Sequence, residues 1–172
     1  MSEIEKNLLL LGNKVKDKIT NRTGLVENVS FDLYGCIQCS MADCDKDGIF
    51  ISHWYDVSRV EIKKRLIPYD GKILPVWECI NNLGKIGEDV ATDLKGVVSS
   101  VCCSLYSDIP SCILTPMGED NPYYNKSFPW IPQPRINILG ENRVMEIPNF
   151  ENGYIAQGKK GCDIQKSIPC YN

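Results

Sequence analysis

An excess of basic residues is the first thing this 172-residue chain lacks. Its 19 Lys and Arg stand against 22 Asp and Glu, giving a formal charge of -3 and a pI near 5.2. Binding through the phosphate backbone of a nucleic acid is disfavoured by that balance. No apolar run reaches the 18 or so residues of a membrane span. The opening, MSEIEKNLLLLGNK, holds four consecutive leucines between acidic flanks and does not read as a secretion signal. Neither a GxGxxG loop nor a P-loop is present. Histidine occurs once, at His53, so catalysis by a Ser or Cys nucleophile would rest on a single candidate base. Together these absences point away from an enzyme.

Cysteine, by contrast, is plentiful. Nine stand at 36, 39, 44, 79, 102, 103, 112, 162 and 170. The number is odd and the spacing irregular, which fits reduced thiols in a cytoplasm. Cys36-Ile37-Gln38-Cys39 has no second CxxC with which to complete a tetrahedral zinc site. Asp43-x-Asp45-x-Asp47-Gly48 matches the start of a calcium loop, but the twelfth position is Trp54 where a bidentate Glu belongs. An acidic hairpin turn accounts for it better, and neither a metal nor a cofactor is expected.

An internal repeat dominates the rest. Shifted by 72, residues 11–37 meet 83–109 with ten identities in 27 ungapped positions, among them Gly12/Gly84, Asp17/Asp89, Thr20/Thr92, Gly24/Gly96, Tyr34/Tyr106 and Ile37/Ile109. A four-residue insertion then changes the offset to 76, so that Trp54 meets Trp130 and Arg59 meets Arg135. Copy one alternates as short strands over Lys14–Thr20, Leu25–Phe31, Cys36–Met41, Ile49–Tyr55 and Arg59–Ile62. Val15 and Ile19 share one face of the first strand, and Leu25, Val29 and Phe31 share one face of the second. The expected fold is all-β in the main. Two tandem SH3-like or KOW-like β-barrel modules occupy 8–64 and 80–140. A linker at 65–79 leads into one or two helical turns carrying Trp77 and Ile80, and an irregular C-terminal extension fills 141–172. Modules this small are marginal alone, so the copies pack on each other or the chain forms a homo-oligomer. In copy two Lys14, Lys16 and Lys18 become Ile86, Glu88 and Val90, a partly apolar face expected to be buried.

The retained polar and aromatic positions are the candidate site. Asp17/Asp89 and Thr20/Thr92 flank the first turn, where a carboxylate bonds turn amides. Tyr34, Trp54 and Arg59, with Tyr106, Trp130 and Arg135, form the candidate ligand-binding set: the Arg could hold a phosphate or carboxylate while a ring stacks a base.

The stretch Leu11-Gly12-x-Lys14-Val15-Lys16-Asp17-Lys18-x-Thr20, with Gly24-x-Val26, Tyr34-x-Cys36-x-Gln38, Asp45-Lys46-Asp47-Gly48, Trp54-Tyr55-Asp56 and Arg59-Val60-Glu61-Ile62, resembles a group of small single-module phage and prophage proteins. That resemblance covers 11–62 well and 83–138 only through the repeat. It implies phage origin. Three functions are then expected in order. The first is a non-enzymatic binding module in the host cell cytoplasm, acting against defence by binding a host protein or sequestering a nucleotide signal. The second is a virion component such as a capsid decoration or tail protein. The third is a KOW-like nucleic-acid binder, which the acidic pI disfavours.

Overall fold

A computed structural model describes residues 1–70, 73–116, 128–147 and 150. The chain is mainly β: the described residues form ten antiparallel strands joined in one sheet that does not close, with two short helices. Copy one runs α1 (Glu3–Leu8), β1 (Asn13–Asp17), β2 (Thr23–Asp32), β3 (Ile37–Cys44), β4 (Phe50–Asp56), a 3-10 turn at Val57–Arg59 and β5 (Val60–Arg65). Copy two runs α2 (Ile73–Ile80), β6 (Lys85–Asp89), β7 (Leu94–Ser104), β8 (Ser107–Thr115), β9 (Ile131–Pro132), a 3-10 turn at Gln133–Arg135 and β10 (Ile136–Arg143). The C-terminal extension beyond Ile147, apart from Phe150, lies outside the described residues, and with it Cys162 and Cys170.

The repeat extends further towards the N-terminus than the strand pattern shows. Ser2 caps α1 by accepting from the Glu5 amide, while the Glu5 carboxylate accepts from the Ser2 amide, a reciprocal cap that satisfies two free helix donors. Ile4, Leu8 and Leu11 are buried behind it, and 72 positions later Val76, Ile80 and Leu83 are buried in the same way. Each helix and the residues just after it thus bury three apolar side chains in the core, and α2 packs on β7 and β8 of its own copy.

Within each copy the second strand is long and bent. Register shifts between Val26 and Asn28 against β3, and between Val98 and Ser100 against β8. Each bulge gives the strand one extra residue, Glu27 or Ser99, and so reverses which side chains face the core. Val26, Val29 and Phe31 are therefore the buried set. Leu25, expected to share a face with Val29, lies on the other side because the bulge falls between them. Ile19, expected beside Val15, lies past the end of β1 and is 69% exposed, whereas Val15 is fully buried. Val90, expected under cover, is 61% exposed. At the next strand pair the offset between copies is 73. Val29 faces Cys39 and Val101 faces Cys112, so Ile37 corresponds to Pro110 and not to Ile109.

β2 and β7 join the copies. Asn28–Asp32 pairs antiparallel with Ser100–Ser104, and the middle pair is Ser30 with Cys102, the same position of the repeat. Beyond the ladder, the Leu33 amide donates to the Ser99 carbonyl (2.7 Å) and the Leu105 amide to the Glu27 carbonyl (2.8 Å). These bonds are repeat equivalents, and both acceptors are bulge residues. A pseudo-twofold axis therefore passes through the Ser30–Cys102 pair. One apolar cluster continues across it, with Val29, Phe31, Val101 and Cys103 at its centre.

Candidate functional site

Each copy carries the same polar lock where its first turn meets its last strand. Asp17 is buried and accepts from Arg59 twice, Nε to Oδ1 at 3.0 Å and Nη2 to Oδ2 at 2.9 Å, and from the amide and hydroxyl of Thr20. In copy two Arg135 Nε reaches Asp89 Oδ1 at 3.0 Å and Nη2 reaches Oδ2 at 2.6 Å, with Thr92 and the Ala91 amide completing the set. The Asp bonds the turn, as the sequence predicts, and also grips the Arg fork. Burial pushes the Asp17 carboxyl up, but the Arg59 and Thr20 hydrogen bonds outweigh it and hold the pKa at about 2. Arg135, then Thr92, hold Asp89 at about 2 as well. The Arg59 guanidinium also stacks 5.4 Å from the Tyr55 ring centre.

Trp54 and Trp130 come together. They are 76 residues apart and belong to different copies, yet their ring centroids are 6.4 Å apart with planes inclined at 32°. Residues directly opposite in antiparallel strands share a face of the sheet, so the register defines what lies beneath. Trp54 faces Ser40, Ser40 faces Asn28, and Asn28 faces Ser104. One step along, Asp56 faces Gln38, Gln38 faces Ser30, Ser30 faces Cys102, and Cys102 faces Ser111. That face is a polar floor, opposite the apolar face of Val29, Phe31, Cys39 and Val101. Asn28 Nδ2 donates to Ser40 Oγ at 2.8 Å. Ser40 is 1% exposed and Ser30 and Cys102 each 8%, so the floor is covered, whereas Trp130 is 38% exposed and offers a ring to solvent.

The tyrosines take a different place. Tyr34 and Tyr106 follow Leu33 and Leu105 in the turns that cross between copies. The Tyr34 amide donates to Asp32 Oδ1 at 2.8 Å, and the exposed Tyr106 hydroxyl donates to Glu27 Oε1 at 3.2 Å. Asp32, half-buried beneath that turn, has its pKa pushed up to about 6, the desolvation outweighing the amides of Cys36 and Tyr34.

Asp45 Oδ1 accepts from the Asp47 and Ile49 amides at 2.9 Å each, the hairpin turn expected of that acidic run. Among the described residues no group of three or more His, Cys, Asp or Glu is arranged to hold a metal ion, and no helix is long and apolar enough to cross a membrane.

The residues that strand alternation alone did not single out are the floor: Asn28, Ser30, Gln38, Ser40, Cys102, Ser104 and Ser111. Their signal was a run of small polar side chains alternating with buried Val, Phe and Cys. No protein-family model, curated protein or solved structure matches this chain.

Proposed function

We propose that this chain is a non-enzymatic, phage-encoded binding module that works inside the infected bacterium and takes up a small nucleotide signal of host defence. The observation that carries this is the Trp54–Trp130 pair, two repeat-related indoles packed together beside a polar face of the sheet. Stacking supplies affinity for a base, and serine and amide groups beside the pair supply hydrogen bonds to its edges. Phage origin rests on the resemblance of residues 11–62 to small phage proteins. Each copy is proposed to be an SH3-like module, supported by the order β5-β1-β2-β3-β4 in copy one and the 3-10 turn before β5. In this proposal Arg59 and Arg135, which hold Asp17 and Asp89 through Nε and Nη2, keep the frame, and Tyr34 and Tyr106 flank the junction of the copies.

Thermal shift across cyclic di- and trinucleotides and ADP-ribose derivatives tests it. A ligand at a hundredfold excess over its Kd stabilises by about 2.7 kcal/mol, a rise of roughly 5–10 °C for a chain of this size. The ligand should then be recovered unchanged. A flat response to every compound would overturn the proposal.

A further inference from the structure

We infer that the open edge of β5 is a docking strip for an acidic, extended peptide of a partner protein, added as one more strand beside Val60–Arg65. The strip is built by β1 and β5 and contains neither Trp54 nor Trp130, so the inference stands apart from the proposed nucleotide role.

β5 ends the strand order β10-β6-β7-β2-β1-β5 and, among the described residues, pairs with β1 alone. One row of its backbone amides and carbonyls is therefore open to a further strand. Every residue of β5 after Val60 is exposed. The side chains along this edge are basic: Lys14, Lys16 and Lys18 on and just after β1, and Lys63, Lys64 and Arg65 on β5. Lys14 stands directly opposite Lys64, and like charges so placed cost stability. On these two strands the exposed carboxylate is Glu61 alone. It pairs with Lys63, and Lys63 first, then Lys16 and Lys18, hold its pKa below the ordinary value. Among the described residues Lys14, Lys16, Lys64 and Arg65 enter no ion pair.

The fold does not require this charge. Copy two builds the same strand pair with Ile86, Glu88 and Val90 in the places of Lys14, Lys16 and Lys18, and β10 opens Ile136-Asn137-Ile138-Leu139 where β5 opens Val60-Glu61-Ile62-Lys63. Its own first lysine, Lys85, is paired with Glu141. β10 is the other end of the same strand order. Guarding an open edge against aggregation therefore does not explain lysines massed on one edge and not on the other.

Charge and shape name the partner. Carboxylates set beside Lys14 and Lys64 relieve their repulsion. Ile62, on the opposite side of β5, is 56% exposed and offers an apolar contact. Acidic and β-branched residues in alternation match both sides of the edge. A nucleic acid matches less: it does not pair with open strand backbone, β1 and β5 carry no aromatic ring to stack a base, and a chain of net charge -3 repels a long polyanion beyond the strip.

The probe is a capped hexapeptide of alternating Glu and Val, titrated into the full, isotope-labelled chain and followed by amide chemical shifts and hydrogen exchange. Shifts and new exchange protection are expected along β5, at the amides turned away from β1. Affinity should fall at least about fivefold between roughly 50 and 300 mM salt. Lys14→Ile, the residue copy two carries there, combined with Lys64→Gln should weaken binding about fivefold or more while the urea midpoint holds or rises. The same peptide N-methylated on the edge that meets β5 should not bind. No binding of the unmodified peptide, or protection on β10 in place of β5, would overturn the inference, as would full affinity in the N-methylated peptide or the double variant. An oligothymidine that binds as tightly as the peptide would overturn it too and make the strip a nucleic-acid contact. Each of these outcomes leaves the proposed function standing, because that is read from thermal shifts with different ligands.

Discussion

Ser30 of β2 lies directly opposite Cys102 of β7, and the two are the same position of the repeat. An antiparallel pair centred on equivalent residues is what an isologous dimer interface looks like when its two subunits become one chain. Five residue pairs, two flanking amide–carbonyl bonds and a shared apolar cluster cross the junction.

The copies should therefore unfold together. Urea denaturation followed by far-UV circular dichroism and by tryptophan fluorescence is expected to give one coincident transition. Two separated transitions would mean that the β2–β7 ladder does not couple the modules.

Gly12 tests the turn that closes copy one. Its φ is +76°, and its carbonyl accepts from the amides of Leu66 and Ile67. A Cβ placed there would stand 1.9 Å from the Ile67 carbonyl oxygen. Gly48 has nearly the same φ, +77°, with nothing within 4 Å of its Cβ position. Gly48→Ala should cost about 1 kcal/mol, the backbone cost alone. Gly12→Ala should cost at least about 3 kcal/mol, because backbone atoms must also move. Equal losses in chemical denaturation would remove the steric explanation.

Stability should depend on pH in two opposite windows. Asp17 and Asp89 titrate at about 2 in the fold, below the ordinary 3.8, so their contribution is complete above about pH 4 and is lost as pH falls towards 2. Asp32 titrates at about 6. Between pH 6 and pH 4 the folded chain binds a proton there that the unfolded chain does not, so this residue raises stability as pH falls through that window. Asp32→Asn keeps an oxygen for the Tyr34 and Cys36 amides and should abolish the rise. Thermal midpoints from pH 2 to 7 for the wild type and Asp32→Asn measure both effects, and a variant that keeps the wild-type profile would contradict the assignment.

Phe150 packs edge-on against Phe31, with centroids 5.8 Å apart and planes at 81°. Phe31 sits on β2 beside the junction and is fully buried. Phe150 thus carries the segment after β10 back to copy one. Phe150→Ala should lower stability by about 3 kcal/mol through lost burial and the cavity left behind, read as a reduced urea midpoint with an unchanged slope. A loss under about 1 kcal/mol would show that the contact adds little.

Much of each copy could be read before any coordinates. Strand order and the Asp45–Gly48 hairpin follow from period-2 alternation and turn residues, which are local properties. The turn residues Asn21-Arg22-Thr23-Gly24 mislead by a few positions, because the chain turns at 18–20 and Thr23 and Gly24, already in β2, pair with Lys16 and Val15. Helix α1 did not follow from the strand pattern: its leucines read as an apolar run, and the Ser2–Glu5 cap that starts it is seen in the structure. The faces of β2 were not legible either, because alternation assumes an unbroken pleat and the bulge at Glu27 reverses it. The slip that separates Ile37 from Ile109 has the same origin: identity at a fixed offset does not count residues taken up by irregular pairing.

The sequence by itself determined that there are two copies, that each is a run of short strands, and that Asp17, Arg59, Trp54 and their counterparts recur together. Only the tertiary structure decided that Asp17 and Arg59 lock onto each other and that Trp54 meets Trp130 across the junction. The physical reason is range. Turns and alternation are settled among neighbouring residues, whereas the Trp pair depends on which strand edges join the copies and in what register. The bulge carbonyls of Glu27 and Ser99, each taking an amide from the other copy, fix that choice.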